Sequence, residues 1–213
     1  MLMNLVKKDL ILAKKYIPIL FIFAIAIPLF TEGKMNEAGG GGAVSFFLTS
    51  LFIQFLLFNT IFMLEYKFKG ASYLCVTPYT RKTIVQAKYL LILLTFIVST
   101  VIYIATSLMV PESLQLPSNN NIGITLLTIT TLLGIIIPLQ YKYGYEKTKY
   151  ITAILIFIAP FILPSIVIFF LKYNLRLTFL ESYNGIGPYL LALIIGLISM
   201  FITTQIYSKI DLE

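Results

Sequence analysis

Six apolar runs follow one another along the chain, at residues 16–31, 43–64, 89–110, 122–140, 150–171 and 189–207. A helix crosses the ~30 Å hydrocarbon core with about 20 apolar residues, so each run is predicted to span a membrane. The first run is short, and Lys14 and Lys15 are expected to snorkel toward the headgroups beside it. The fifth carries Pro160 and Pro164, where a kink or break is expected. Residues 1–15 are too charged to cross. On a helical wheel Asn4, Lys7, Lys8, Lys14 and Lys15 share one arc. Leu2, Leu5, Val6, Leu10, Leu12 and Tyr16 share the opposite arc, with Asp9 and Ile11 as exceptions. That pattern predicts a helix lying in the headgroup layer. A secretory leader is the poorer reading, because five more runs follow and no convincing cleavage site does.

The segments between the runs set the expected orientation. Of the sixteen Lys and Arg residues, four lie before the first run, five in the 65–88 segment, three at 141–149 and one at Lys209. The intervening segments at 32–42, 111–121 and 172–188 hold one, none and two. Thirteen against three is a strong positive-inside signal, which places both termini in the cytoplasm. The whole chain, 1–213, then forms a single transmembrane domain with no repeat visible.

Composition agrees. The chain is 59% hydrophobic and 12% charged, with a mean hydropathy of +0.92, against about 25% charged residues in soluble domains. The net charge of +7 is spread between apolar runs, which suits anionic lipid and cytoplasmic loops and not nucleic acid. A single cysteine excludes an internal disulfide. The absence of histidine removes a His proton shuttle, a Ser–His nucleophile and the usual zinc ligand sets, and so no metal site is expected. Lysine outnumbers arginine 14 to 2, in keeping with an AT-rich bacterial genome.

Inside the runs there is no deeply placed acid or base, which argues against an ion-driven carrier. Hydroxyl and amide side chains do occur. Thr95, Ser99, Tyr103 and Thr106 form one stripe, Gly196, Ser199, Thr203 and Tyr207 another, and Gln54 and Asn59 are the most polar residues of the second run. Such stripes let helices pack closely; the sharper reading makes Gln54, Asn59, Thr95, Ser99, Tyr103 and Thr106 part of a translocation path between two copies of the fold. The only glycine cluster, at 39–42, continues into Ala-Val-Ser and is no phosphate-binding loop, so any ATP must be bound by another chain.

The longest polar interruption runs from Glu65 to Leu90, as EYKFKGASYLCVTPYTRKTIVQAKYL. Residues 67–76 have the length for a short helix in which Phe68, Tyr73, Leu74 and Cys75 offer apolar contacts and Gly70 and Ala71 allow close approach. Thr77 before Pro78 reads as an N-cap and first helical position, from which a second helix is predicted to run through Arg81 and Lys82 into the third span. Glu65 is expected to brace this corner by pairing with Arg81 or Lys82. The plainer reading is a basic loop that fixes topology and binds anionic lipid.

An acid closing the second run, followed by L-x-x-x-P-x-x-R-K-x-I-V-x-x-K-Y-L at 74–90, resembles the ABC-2 type permeases, in particular the small six-span subunits common in Firmicutes. Met-Asn-Leu-Val-Lys-Lys-Asp-Leu at 3–10 resembles their amphipathic N-terminal helix. The resemblance implies an all-α, type V exporter-like fold: six spans, an interfacial helix, and both termini inside. It also implies a second permease subunit, identical or paralogous, and separate ABC ATPase subunits that carry ATP and Mg. Docking would use a coupling helix at Phe68, Lys69, Gly70, Ala71, Ser72, Tyr73, Leu74, Cys75, Thr77 and Pro78, with Glu65, Arg81 and Lys82 bracing its corner. Short outer re-entrant helices at 172–188 are a further expectation. The implied place is the bacterial cytoplasmic membrane, and the implied cargo a hydrophobic or amphipathic peptide, toxin or antimicrobial. A vitamin-capturing subunit of an energy-coupling importer competes with this reading, although the first run lacks its AxxxA docking face. No acid–base pair for a membrane enzyme can be assembled, while a channel or scaffold stays open.

Overall fold

The computed structural model describes the backbone of residues 2–35, 41–68, 79–110, 114, 116–172 and 186–209, and the side chains of these except 32–35, 41 and 156–172. Six helices carry the described chain: α1 (Leu2–Leu12), α2 (Ile17–Met35), α3 (Gly41–Lys67), α4 (Arg81–Met109), α5 (Asn119–Lys172) and α6 (Gly187–Ser208). Among the described residues α3, α4, α5 and α6 are long and apolar enough to cross a membrane, and a fifth candidate arises if α1 and α2, bent by 82°, count as one broken span.

The wheel drawn from the sequence holds in α1. Leu5 and Val6 are buried, Leu2, Leu10 and Leu12 are half-buried, and Asn4 and Lys7 face outward. Both exceptions are real: Ile11 is exposed, and Asp9 is only 1% exposed. α1 packs on α4 and α3, the chain turns at 13–16, and α2 lies along α3 with Leu20 and Ala24 buried. At the far end Thr31 Oγ1 donates to Ser45 Oγ at 2.9 Å.

α3 is the centre of the bundle, with 67% of its most apolar stretch buried against 17% for α6. An apolar helix enclosed on most sides is what a central span requires. Phe46 meets the edges of Phe96 and Tyr103 on α4 at 6.3 and 5.1 Å. α6 instead packs one face against α5, through two glycines. A Cβ on Gly123 would stand 2.9 Å from Tyr189, and one on Gly134 3.3 Å from Ser199. These are positions where small residues let two helices approach in lipid.

Three expectations about helix ends are corrected. α4 begins at Arg81 and not at Pro78: its N-cap is Thr80, in extended conformation, whose Oγ1 accepts the Thr83 N–H at 3.3 Å. The loop expected at 141–149 shortens to a kink, at which two helical arms, 54 residues in all, meet. Its single non-helical residue is Gly144 (φ 78°, ψ 163°), a conformation open almost only to glycine. The dihedrals stay helical through Pro160 and Pro164, so the helix is not broken there; the break in this stretch is at Gly144. At 1.5 Å per residue the stretch would extend about 80 Å if straight, far more than a bilayer core. The two arms on either side of Gly144 are each long enough to cross. The re-entrant helices expected at 172–188 lie mostly outside the described residues; α6 itself starts at Gly187 with Pro188 in its first turn.

Candidate functional site

Four charged side chains meet at the lysine-rich end of the bundle. Lys88 Nζ, from the second turn of α4, stands 2.9 Å from Asp9 Oδ2 on α1 and 2.8 Å from Glu65 Oε1 at the end of α3. Lys8 Nζ stands 2.8 Å from the same Glu65 oxygen and 2.8 Å from Asp9 Oδ1, the latter an ion contact without hydrogen-bond alignment. Lys88 and Asp9 are almost fully enclosed, and Lys8 reaches the surface. The cluster carries two charges of each sign. That balance is what makes its burial tolerable, since an unmatched charge here would leave its partners stranded away from water.

An aromatic column continues from the cluster. Lys88 Nζ lies 5.2 Å from the Phe62 ring centre, Phe62 meets Tyr141 edge-on at 5.9 Å, and Tyr141 lies 4.8 Å from Tyr207. Arg81 closes the column over Tyr207 at 5.7 Å. Its Nη1 also donates to the carbonyls of Tyr207 and Ser208, both at 2.9 Å. A guanidinium there satisfies the free carbonyls at the end of α6 and complements its dipole. The column therefore joins α3, α4, α5 and α6, and the ion cluster adds α1.

The corner brace expected for Glu65 is thereby corrected. Glu65 pairs with Lys8 and Lys88, while Arg81 turns to the end of α6 and Lys82 is exposed with no ion pair among the described residues. The cause is helical phase. Lys88 shares the inward stripe of Ile84, Leu91 and Thr95, whereas Lys82 lies on a different face of α4. Of the expected coupling helix only Phe68 is described, in the exposed turn closing α3 with Lys67 Nζ 5.9 Å from its ring. Lys69, Gly70, Ala71, Ser72, Tyr73, Leu74, Cys75, Thr77 and Pro78 lie outside the described residues.

Apart from Gly196, which is half-buried beside a groove, the stripe residues are buried. Gln54 Nε2 donates to the Ile92 carbonyl at 3.0 Å, and Thr95 Oγ1 lies 2.9 Å from Gln54 Oε1. Ser99 and Thr106 donate to carbonyls of their own helix, and Tyr103 Oη donates to Gly42 O at 3.1 Å. Thr95, Ser99, Tyr103 and Thr106 are buried between α4 and its neighbours, and Asn59 is half-buried. On α6, Ser199 donates to the Gly134 carbonyl, and Ser199 and Thr203 both meet Tyr89 Oη. Within this chain these hydrogen bonds join neighbouring helices, and Thr95 and Ser99 also line an open groove between α2, α3 and α4.

Lys8, Asp9 and Lys88 were not singled out as a site by sequence reasoning. Two signals pointed to them: an acid on the apolar arc of α1, and a lysine at an apolar-periodic position of α4. Each demands a buried partner.

Comparison with curated proteins and with solved structures returns no match. A family model described as ABC-2 family transporter protein matches residues 4–208, nearly the whole chain and all six described helices. The chain belongs to the ABC-2 transporter family.

Proposed function

We propose that the chain is the permease subunit of an ATP-binding cassette exporter in a bacterial cytoplasmic membrane. It pairs with a second permease copy and is driven by a separate ATPase. Family membership and the long apolar helices support a membrane transport component. In this reading the chain crosses six times, with the two arms of α5 counted as separate crossings, and both termini face the cytoplasm. The lysine-rich segments support that orientation. The substrate is hydrophobic or amphipathic, a peptide, toxin or antimicrobial.

One observation supports the mechanism: the described residues on either side of 69–78 are held to the bundle. Three residues before Phe68, Glu65 is held in the ion cluster with α1 and α4. Three residues after Pro78, Arg81 is fastened to the end of α6. In this reading a push by a docked ATPase reaches α1, α3, α4 and α6 through these two flanks. Packed elements with two discrete arrangements turn such a displacement into a change of state.

The test is reconstitution with the cognate ATPase. Tyr73→Asp and Leu74→Asp should abolish ATP-coupled transport while membrane insertion and thermal stability stay unchanged. Transport by the purified chain with no nucleotide-hydrolysing companion would overturn the reading.

A further inference from the structure

We propose that a groove between α4 and α6 is a binding site for an anionic phospholipid of the leaflet on the lysine-rich side. The two helices are tied together toward that side by Tyr89 Oη, which meets Ser199 and Thr203. Beyond that tie they part. The space between them and α5 forms two adjoining segments of about 250 and 300 Å³ that share Leu93 and Leu126 as lining. The first segment is lined from α6 by Leu193, Gly196 and Leu197, and nothing lies within 4 Å of a Cβ built on Gly196. The cleft there exists because the sequence places no side chain in it.

Polarity along the groove identifies the occupant. Lys82, Gln86, Tyr89 and Leu93 fall on one stripe of α4 at spacings of four, three and four residues. Lys82 is exposed and makes no ion pair among the described residues. Gln86 lines the first segment, whose other walls are aliphatic apart from Tyr89, Thr130 and Gly196. From Lys82 to Leu93 the helix descends about 16 Å, close to half of a ~30 Å hydrocarbon core. The order is therefore cation, amide, then an apolar cleft whose first segment reaches about one leaflet down and whose second continues to Val101. It matches phosphate, glycerol ester and acyl chain in turn, with the lysine stem free to snorkel to the headgroup. A second copy of this chain would leave that cation and amide unexplained.

The chain contains no tryptophan, so Leu197→Trp, at a 60% exposed groove position, provides a single indole reporter. The full chain carrying it is reconstituted in liposomes holding brominated phosphatidylglycerol or brominated phosphatidylcholine in matched amounts. Stronger quenching by the glycerol lipid is expected, with the preference falling about fivefold in Lys82→Gln, the share of one lysine near a headgroup. Native mass spectrometry of the purified chain should show retained phospholipid that Gly196→Phe displaces. Equal quenching by both lipids, which marks ordinary boundary lipid, overturns the proposal. So does a preference untouched by Lys82→Gln, or retained lipid untouched by Gly196→Phe. None of these readouts involves an ATPase, so they fail or succeed apart from the transport reading.

Discussion

Replacing Lys88 by methionine removes one charge from a site where only Lys8 is left to answer two carboxylates. Lys88 is 1% exposed and touches Asp9 and Glu65 at 2.9 and 2.8 Å, whereas the Lys8 side chain is 35% exposed. Methionine nearly matches the lysine stem in length and volume, so packing against Phe62 survives and the change is chiefly electrostatic. Breaking a buried ion pair by removing one partner costs about 3–5 kcal/mol, because the other charge stays buried. The same change at Lys8 removes a half-buried partner whose place water can partly take, so it should cost less than the change at Lys88. The double variant Asp9→Asn with Lys88→Met removes one charge of each sign and restores the balance. It should recover about 1–3 kcal/mol relative to the sum of the single changes. Reversible unfolding of the purified protein in mixed micelles, followed by far-UV circular dichroism, measures all four states of the cycle. The reasoning fails if Lys88→Met costs less than about 1 kcal/mol, if Lys8→Met costs as much, or if the double variant is simply additive.

Three further outcomes are expected. Gly144→Ala should destabilise by about 1–3 kcal/mol through backbone strain alone, since no atom lies within 4 Å of the added Cβ; the same unfolding assay checks it. Gly123→Ala should cost about 1–3 kcal/mol by overpacking against the Tyr189 ring, which is held by its hydroxyl to Asn119, and adding Tyr189→Ala should relieve part of that loss. If the role of Gln54 is to join α3 to α4, Gln54→Met should lower stability by about 0.5–1.5 kcal/mol, with Thr95 keeping the Leu91 carbonyl at 2.7 Å, and leave transport rates intact. A transport assay that loses activity in a stable Gln54→Met protein would contradict the packing role.

Much of the fold is legible in the sequence because hydrophobic runs and the helical wheel both report burial directly. Leu5 and Val6 face inward and Lys7 outward for the reason the wheel states. Runs separated by turn-forming or charged residues fix helix existence better than helix ends. Arg81, Lys82 and Lys88 join α4 as expected although they are charged, since a capped helix carries its charges outward into water or inward to a partner. The 141–149 stretch reads as a loop from its three lysines, yet only Gly144 leaves the helical region, and a lone glycine gives little local signal of such a break. The ion cluster was harder still. Lys8, Asp9, Glu65 and Lys88 come from three helices, and their meeting depends on the rotational phase of each one. Proximity along the chain suggested Arg81 and Lys82 for Glu65, but helical phase outweighed it. Asp9 among leucines was the clue, because a carboxylate on an apolar face is stable only when something opposite answers it.

The central claim is that the segment between α3 and α4 faces the cytoplasm and is where a partner ATPase grips. Cys75, the chain's only cysteine, falls inside that segment and makes the test direct. A membrane-impermeant maleimide should label Cys75 in inverted membrane vesicles, should fail to label it in intact cells, and should be blocked when the cognate ATPase is bound. Labelling from the outer surface, or labelling in inverted vesicles that the bound ATPase leaves unchanged, would contradict the claim.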